Sequence, residues 1–322
     1  MRTPAFVLAL GLAAAFSPLS AQGTPPAQES TTAPQKPEPL AFAWPVPCSV
    51  VITKDGAKAR GSAKLRYRLD LSKGENGELR ARQHDFSFLE VNGMDATTEA
   101  MQKALAPALA LTQAVPDIVV DAQGRFLRID GLDEMIGRVT THLATTKGMS
   151  DAERARLEAS MRAPAARATL EQACGTDWQL WVGSWIGCDL ASGTEATSEG
   201  TTTILAAEVT GKVVMRNHGD VPEHPGHVRL SVTKLVEGEA ATAQLVKLLN
   251  GFKGEGGKAP LDPELLEDVR AELVGEVIVE RATLRPLRAT RTKAIKIKVR
   301  GEKVREENER ATFEFDWTVK ER

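Results

Sequence analysis

The stretch Phe313-Glu314-Phe315-Asp316-Trp317-Thr318-Val319 alternates apolar and polar residues without interruption. Side chains of a strand point in turn to its two faces, so Phe313, Phe315 and Trp317 share a covered face and the carboxylates a wet one. The same period of two runs through Lys64-Leu65-Arg66-Tyr67-Arg68-Leu69-Asp70-Leu71, Val228-Arg229-Leu230-Ser231-Val232 and Ile295-Lys296-Ile297-Lys298-Val299. Strands with one dry and one wet face belong to antiparallel sheets. They place Leu65, Tyr67, Leu69, Val228, Leu230, Val232, Ile295 and Ile297 on the covered side with the aromatic residues.

Turn signals separate the strands: Lys73-Gly74-Glu75-Asn76-Gly77, Asp121-Ala122-Gln123-Gly124 and Arg300-Gly301-Glu302. Helical segments interrupt them. Asp95 predicts an N-cap for a helix to about Thr112, and Asp130 one for a helix ending at Gly148. Ser150 and Glu153 form a capping box for a third helix, reaching about Cys174. A shorter helix runs from about Glu239 to Asn250-Gly251, where a glycine-rich loop to Gly257 begins. Asp262-Pro263, with Leu261 and Leu266 placed as a staple, predicts another helix start. Strands and helices do not alternate strictly, which argues against a parallel nucleotide-binding sheet. The expected fold is α+β, a large curved, half-barrel-like antiparallel sheet of ten or eleven strands. Helices such as Thr98 to Leu111 lie on its concave face.

The start of the chain carries an address. Arg2 precedes an apolar run from Ala5 to Phe16, and Pro18-Leu19-Ser20-Ala21 breaks it before a small residue, the layout of a cleavable export signal. The run is too short to span a bilayer, which takes about 20 apolar residues. Seven prolines then fall between Gln22 and Pro47, a composition that reads as a disordered tether. The expected organisation is residues 1–21 as signal, 22–47 as tether and 48–322 as a single α+β domain in the periplasm or outside the cell.

Composition narrows the function. A hydrophobic fraction of 42% and a charged fraction of 26% describe an ordinary folded domain. A net charge of −2 gives no global field toward nucleic acid. Aromatics at 5%, with Tyr67 the single tyrosine, argue against carbohydrate recognition.

The segment Asp117-Ile118-Val119-Val120-Asp121-Ala122-Gln123-Gly124-Arg125-Phe126, with Val182-Gly183-Ser184-Trp185 further on, resembles a family of exported bacterial proteins known as a domain of unknown function. Its cysteines depart from that family's pattern, and the resemblance implies no activity. In architecture alone, the strand and helix order is similar to the half-barrel carriers that move lipids through the bacterial envelope.

Cys174 and Cys188 bracket Trp178, Trp181 and Trp185; in an oxidising compartment the two predict a disulfide, leaving Cys48 over. The tryptophans either fill a core beneath the sheet or line the mouth of an apolar pocket, with Gly183 and Gly187 favouring strand or loop around them. His218, His224 and His227, with Asp220 and Glu223, hold the right donors for a metal, but on a proline- and glycine-rich loop that predicts no tight site. Ser231-Val232-Thr233-Lys234 matches a penicillin-binding motif, yet on a strand its Ser and Lys face opposite ways. The basic run Arg285 to Arg305 reads as a wet strand face, partly neutralised by Glu306, Glu307 and Glu309.

No catalytic constellation emerges and no cofactor is implied. The leading expectation is an exported, non-catalytic protein that holds an apolar or lipid-like ligand between sheet and helices, with Trp178, Trp181, Trp185, Phe313, Phe315 and Trp317 as its contacts. A structural or interaction protein of the envelope with a filled core is the alternative. A metal-binding protein built on the histidine loop is the third.

Overall fold

The computed structural model describes residues 38–59, 61–204, 207–251, 263–302 and 304–318. The expected signal and most of the tether therefore lie outside the described residues, as does the glycine-rich loop beyond Gly251.

Twelve antiparallel strands among the described residues form one large open, curved sheet. They are β1 (Cys48–Lys58), β2 (Gly61–Lys73), β3 (Leu79–Val91), β4 (Met94–Asp95), β5 (Asp117–Val120), β6 (Phe126–Asp130), β7 (Glu195–Ile204), β8 (Ala207–Asp220), β9 (His227–Val236), β10 (Leu266–Glu280), β11 (Pro286–Val299) and β12 (Arg305–Asp316). Their order is β6-β5-β3-β2-β1-β12-β11-β10-β9-β8-β7, with β4 paired to β3. The last strand thus joins the first: β12 pairs with β1 in the centre, Phe315 opposite Ile52 and Phe313 opposite Lys54. This pairing links an N-terminal half-sheet to a C-terminal one, and the alternation of residues 313–316 is what allows it.

Among the described residues five α-helices accompany the sheet: α1 (Glu99–Thr112), α2 (Leu132–Lys147), α3 (Asp151–Arg162), α4 (Pro164–Trp181) and α5 (Glu239–Gly251). None is long and apolar enough to cross a membrane, among the described residues. The expected strand faces hold. Tyr67, Leu69, Val228, Leu230, Val232, Phe313 and Phe315 are all buried, and their polar neighbours point away.

Helix boundaries differ from expectation in instructive ways. The capping box is present, with Ser150 Oγ accepting from Glu153 N–H at 3.3 Å and Glu153 Oε2 accepting from Ser150 N–H at 2.8 Å. The single helix expected to follow is two, because Pro164 disfavours helical geometry at Ala163 and restarts the chain as the first residue of α4. Asp95 caps nothing: it pairs in β4 opposite Glu90, and its carboxylate accepts from Thr97 N–H at 2.8 Å, so α1 begins only after Thr98. Asp130 ends β6 and binds Arg80 at 2.8 Å; Gly131, at φ 86°, turns the chain into α2.

The largest correction concerns residues 263 onward. The expected helix is a short turn, Pro263–Leu265, followed by the 15-residue strand β10. Val269, Ala271, Leu273, Val277 and Val279 alternate inward, and β9 and β11 flank the strand on both sides. A ladder with β11 from Leu266 on, joined by one with β9 from Ala271, outweighs a local helix-start signal.

The packed chain also begins before Cys48. Leu40 and Trp44, inside the stretch expected as tether, are buried. Leu40 exchanges backbone hydrogen bonds with the 187–188 segment, N–H to Cys188 O at 2.9 Å and O from Gly187 N–H at 2.8 Å. Their large apolar side chains, not the neighbouring prolines, decide the placement of this segment.

Candidate functional site

The aromatic residues singled out from the sequence come together, on a helix and not on a strand. Trp178 and Trp181 occupy the last turn of α4, and Trp185 the short helical turn Gly183–Trp185 that follows. The expectation that Gly183 and Gly187 impose strand or loop geometry fails, because α4 continues to Trp181. Trp178, Trp181 and Trp185 are fully buried. Trp181 meets Phe313 and Phe315 edge-on at 5.3 and 5.1 Å between ring centres. Trp44 lies 5.3 Å from Trp178 and 4.8 Å from Trp317, and Phe42 completes the stack. Gly124, at φ 81°, sits under this stack; a Cβ there would meet the Phe42 ring at 2.6 Å. Three indoles donate to backbone carbonyls: Trp178 to Gly124, Trp185 to Leu180 and Trp317 to Pro286, all within 2.7–2.8 Å. The buried indole N–H groups of Trp44 and Trp181 have no acceptor among the described residues.

Helix α1, expected to lie against this face, packs on the core through the half-buried Leu109 and Leu111. Helix α4 is more deeply buried and reaches the sheet through charge as well as through rings. Asp177 on α4 binds Arg291 of β11 at 2.7 Å and Lys54 of β1 at 3.2 Å. Arg291 also faces Glu309 of β12 at 3.6 Å, and Glu309 faces Lys58 of β1 at 3.4 Å. Burial works to raise the Asp177 pKa, but Lys54 and Arg291 outweigh it and hold the carboxyl below its ordinary value. Tyr67, deep beside this network, has its pKa raised by burial and then by Asp177.

The strand register extends the network into a line. Val213 of β8 lies opposite Lys234 of β9, Lys234 opposite Leu273 of β10, and Leu273 opposite Lys293 of β11. Lys293 in turn lies opposite Glu309, and Glu309 opposite Lys58. One row across five strands of the concave face thus carries Lys234, Lys293, Glu309 and Lys58. Burial lowers the Lys234 pKa to about 8.

This row divides the covered face in two. On one side lies the aromatic core with α4. On the other, a separate apolar cluster gathers under α5: Ala241 and Leu245 of the helix against Val209, Val236, Val269, Ala271, Ile295 and Ile297. Gln244 and Thr242 fasten α5 to the sheet, accepting from Thr210 N–H at 3.1 Å and Val269 N–H at 3.2 Å.

Sequence reading missed the row. It grouped Arg291 and Lys293 with a wet basic strand, yet both are odd-numbered like Ala289, Ile295 and Ile297, which point inward. Lys234 shares the parity of Val228, Leu230 and Val232, and Lys54 that of Val50 and Ile52. A lysine in phase with a buried face was the available signal. The remainder of the basic run behaves as a wet face: Lys298 pairs with Glu267 at 3.0 Å and Lys296 with Glu306 at 3.9 Å.

The cysteines and histidines do not make the sites considered for them. Cys174 and Cys188 are not bonded to each other. Helix α4 carries Cys174 about 10 Å of helical rise before its end at Trp181, while Cys188 is fixed by its pairing with Leu40. Burial raises the Cys174 thiol pKa to about 12 and that of Cys188 in the same direction. Cys48 packs at the margin of the aromatic core. His218 lies within β8, 2.7 Å from Ser231 Oγ, and His224 and His227 stand 5.9 Å apart across the following turn. Among the described residues no three His, Cys, Asp or Glu side chains converge as metal ligands.

No family model matches the chain, and no curated protein matches it. The resemblance to exported bacterial proteins therefore rests on residues 117–126 and 182–185 alone. Among solved structures, the chain is similar to lipovitellin, from a structure concerned with its lipid–protein interactions, at 8% identity and a TM-score of 0.40. That alignment covers 83% of this chain but spans about a quarter (24%) of the length of the lipovitellin chain.

Proposed function

We propose that this is an exported, non-catalytic protein that binds an amphipathic, lipid-like ligand on the concave face of its sheet, between α4 and α5. One observation carries the reading: a row of charged side chains crosses the concave face and leaves an apolar cluster on each side. Charges placed between a sheet and its helices cost stability unless they are paired or used. A surface that is apolar in two parts and ionic between them suits a molecule with a tail and a polar head. The apolar run Ala5 to Phe16 supports export, and the lack of any catalytic grouping in the sequence supports a binding role.

The alternative, a structural protein of the envelope with a filled core, is favoured by the aromatic end. There the six residues nominated as ligand contacts fall in or against one core cluster, and Trp178, Trp181 and Trp185 are sealed. The ligand reading therefore moves from the aromatic cluster to the row beside it. Native mass spectrometry of protein purified from its own cell envelope decides between the two. The binding reading expects a population heavier by one lipid-sized mass that is lost on unfolding. A single species at the bare polypeptide mass, unchanged when lipid is added, favours the filled core.

A further inference from the structure

We propose that the ligand's head is anionic and is held by the cationic row of the concave face, centred on Lys293 with Arg291 and Lys58 beside it. This rests on the amphiphile reading above and specifies it.

The charge count on this face is lopsided. Among the described residues Lys54, Lys58, Lys234, Arg291 and Lys293 face inward, with Asp177 and Glu309 between them. Further along β12 the same face presents a third carboxylate, Glu307, and Arg305, which pairs with Glu302. Arg291 spends one guanidinium nitrogen on Asp177 and another, at a longer 3.6 Å, on Glu309. A lysine ammonium has three donors, so a partner inside the protein leaves capacity for a second acceptor.

Access and reach agree with this placement. Lys58 is half exposed, Lys293 half-buried and Arg291 buried, so the row grades from solvent into the fold. From Lys234 to Lys58 is four inter-strand spacings, about 19 Å; Lys293 to Lys58 is two, about 10 Å, the scale of one head group. A tail leaving this point meets Ile295 and Ala271 at the next inward register position, on the side covered by α5. Carboxylate and phosphate oxygens accept charge-assisted bonds from lysine and arginine, and partial burial strengthens them.

The test displaces a neutral apolar dye, N-phenyl-1-naphthylamine, from the full chain with oleate or with oleyl alcohol. Oleate should displace it at concentrations about tenfold lower, the worth of a single charge-assisted contact in a partly buried site. The Lys58→Gln/Lys293→Gln double variant should erase that advantage and leave oleyl alcohol unchanged. If the variant does not fold, salt serves in its place: raising ionic strength on the natural protein should weaken oleate and spare the alcohol. Equal displacement by both, insensitive to variant and to salt, overturns the anionic head while the lipid reading stands. Failure of the dye and both amphiphiles to bind overturns the lipid reading together with this one. Inorganic phosphate binding more tightly than oleate by calorimetry also overturns it, because the row would then serve a free anion.

Discussion

The two ends of the concave face are built from different material. Under α4 the core is aromatic, with Trp178, Trp181, Trp185, Phe313 and Phe315 interlocked and three of the five indoles bonded to carbonyls. Under α5 it is aliphatic and smaller: alanine, valine, leucine and isoleucine, with Ala241 and Leu245 the buried helix contacts. The charged row runs along the border. Stability is not spread evenly through a protein, and segments with fewer buried contacts open first. The comparison assigns rigidity to the α4 end and the freedom to admit a ligand to the border and the α5 end.

The sharpest way to break that division is to weaken each end in turn. Trp181→Ala removes the ring that holds α4 to Phe313 and Phe315, and should cost about 3–5 kcal/mol in denaturant unfolding. Leu245→Ala empties a smaller site under α5 and should cost about 2–3 kcal/mol. Its effect should also show as faster amide exchange confined to α5 and its neighbours in β8 and β10. A loss from Leu245→Ala equal to that from Trp181→Ala, with global exchange, would remove the contrast.

Asp177→Asn probes the border and should cost about 1–3 kcal/mol, discounted for partial exposure of its partners. Its folded pKa lies below the ordinary value, so its contribution is full above about pH 4 and is lost as pH falls through the folded value. The natural protein should therefore lose more stability than the variant in that acid window. A last probe of the border is Lys234. With a folded pKa of about 8, its contribution is full above the unfolded value near 10.4 and declines as pH falls through 8. Melting curves should show stability rising between pH 8 and 10, and Lys234→Met should flatten that rise.

Much of this fold could be read from residue order. The period-two stretches place β2, β9, β11 and β12 and their buried faces correctly, because alternation reports burial directly. The capping box of Ser150 and the turns at residues 73–77, 121–124 and 300–302 are local chemistry and are also where expected. What could not be read depends on partners far along the chain. The proline at 263 looks like a helix start, and only the ladders of β9 and β11 make the following residues a strand. Leu40 and Trp44 look like tether until the core that receives them exists. The candidate site falls between these cases. The inward phase of Lys234, Arg291 and Lys293 is written in the sequence, but the row they form with Glu309 and Lys58 needs the register of four strand pairs.

The central claim is one of place: an amphiphile sits on the concave face at the charged border between α4 and α5. A photoactivatable fatty acid, cross-linked to the full chain and mapped by peptide mass spectrometry, reads that place directly. The account predicts saturable labelling, competed by unlabelled oleate, on inward residues of β9 to β12 around Leu273, Lys293 and Ile295. Labelling that does not saturate, or that falls on outward residues such as Arg288 and Lys296, would contradict it.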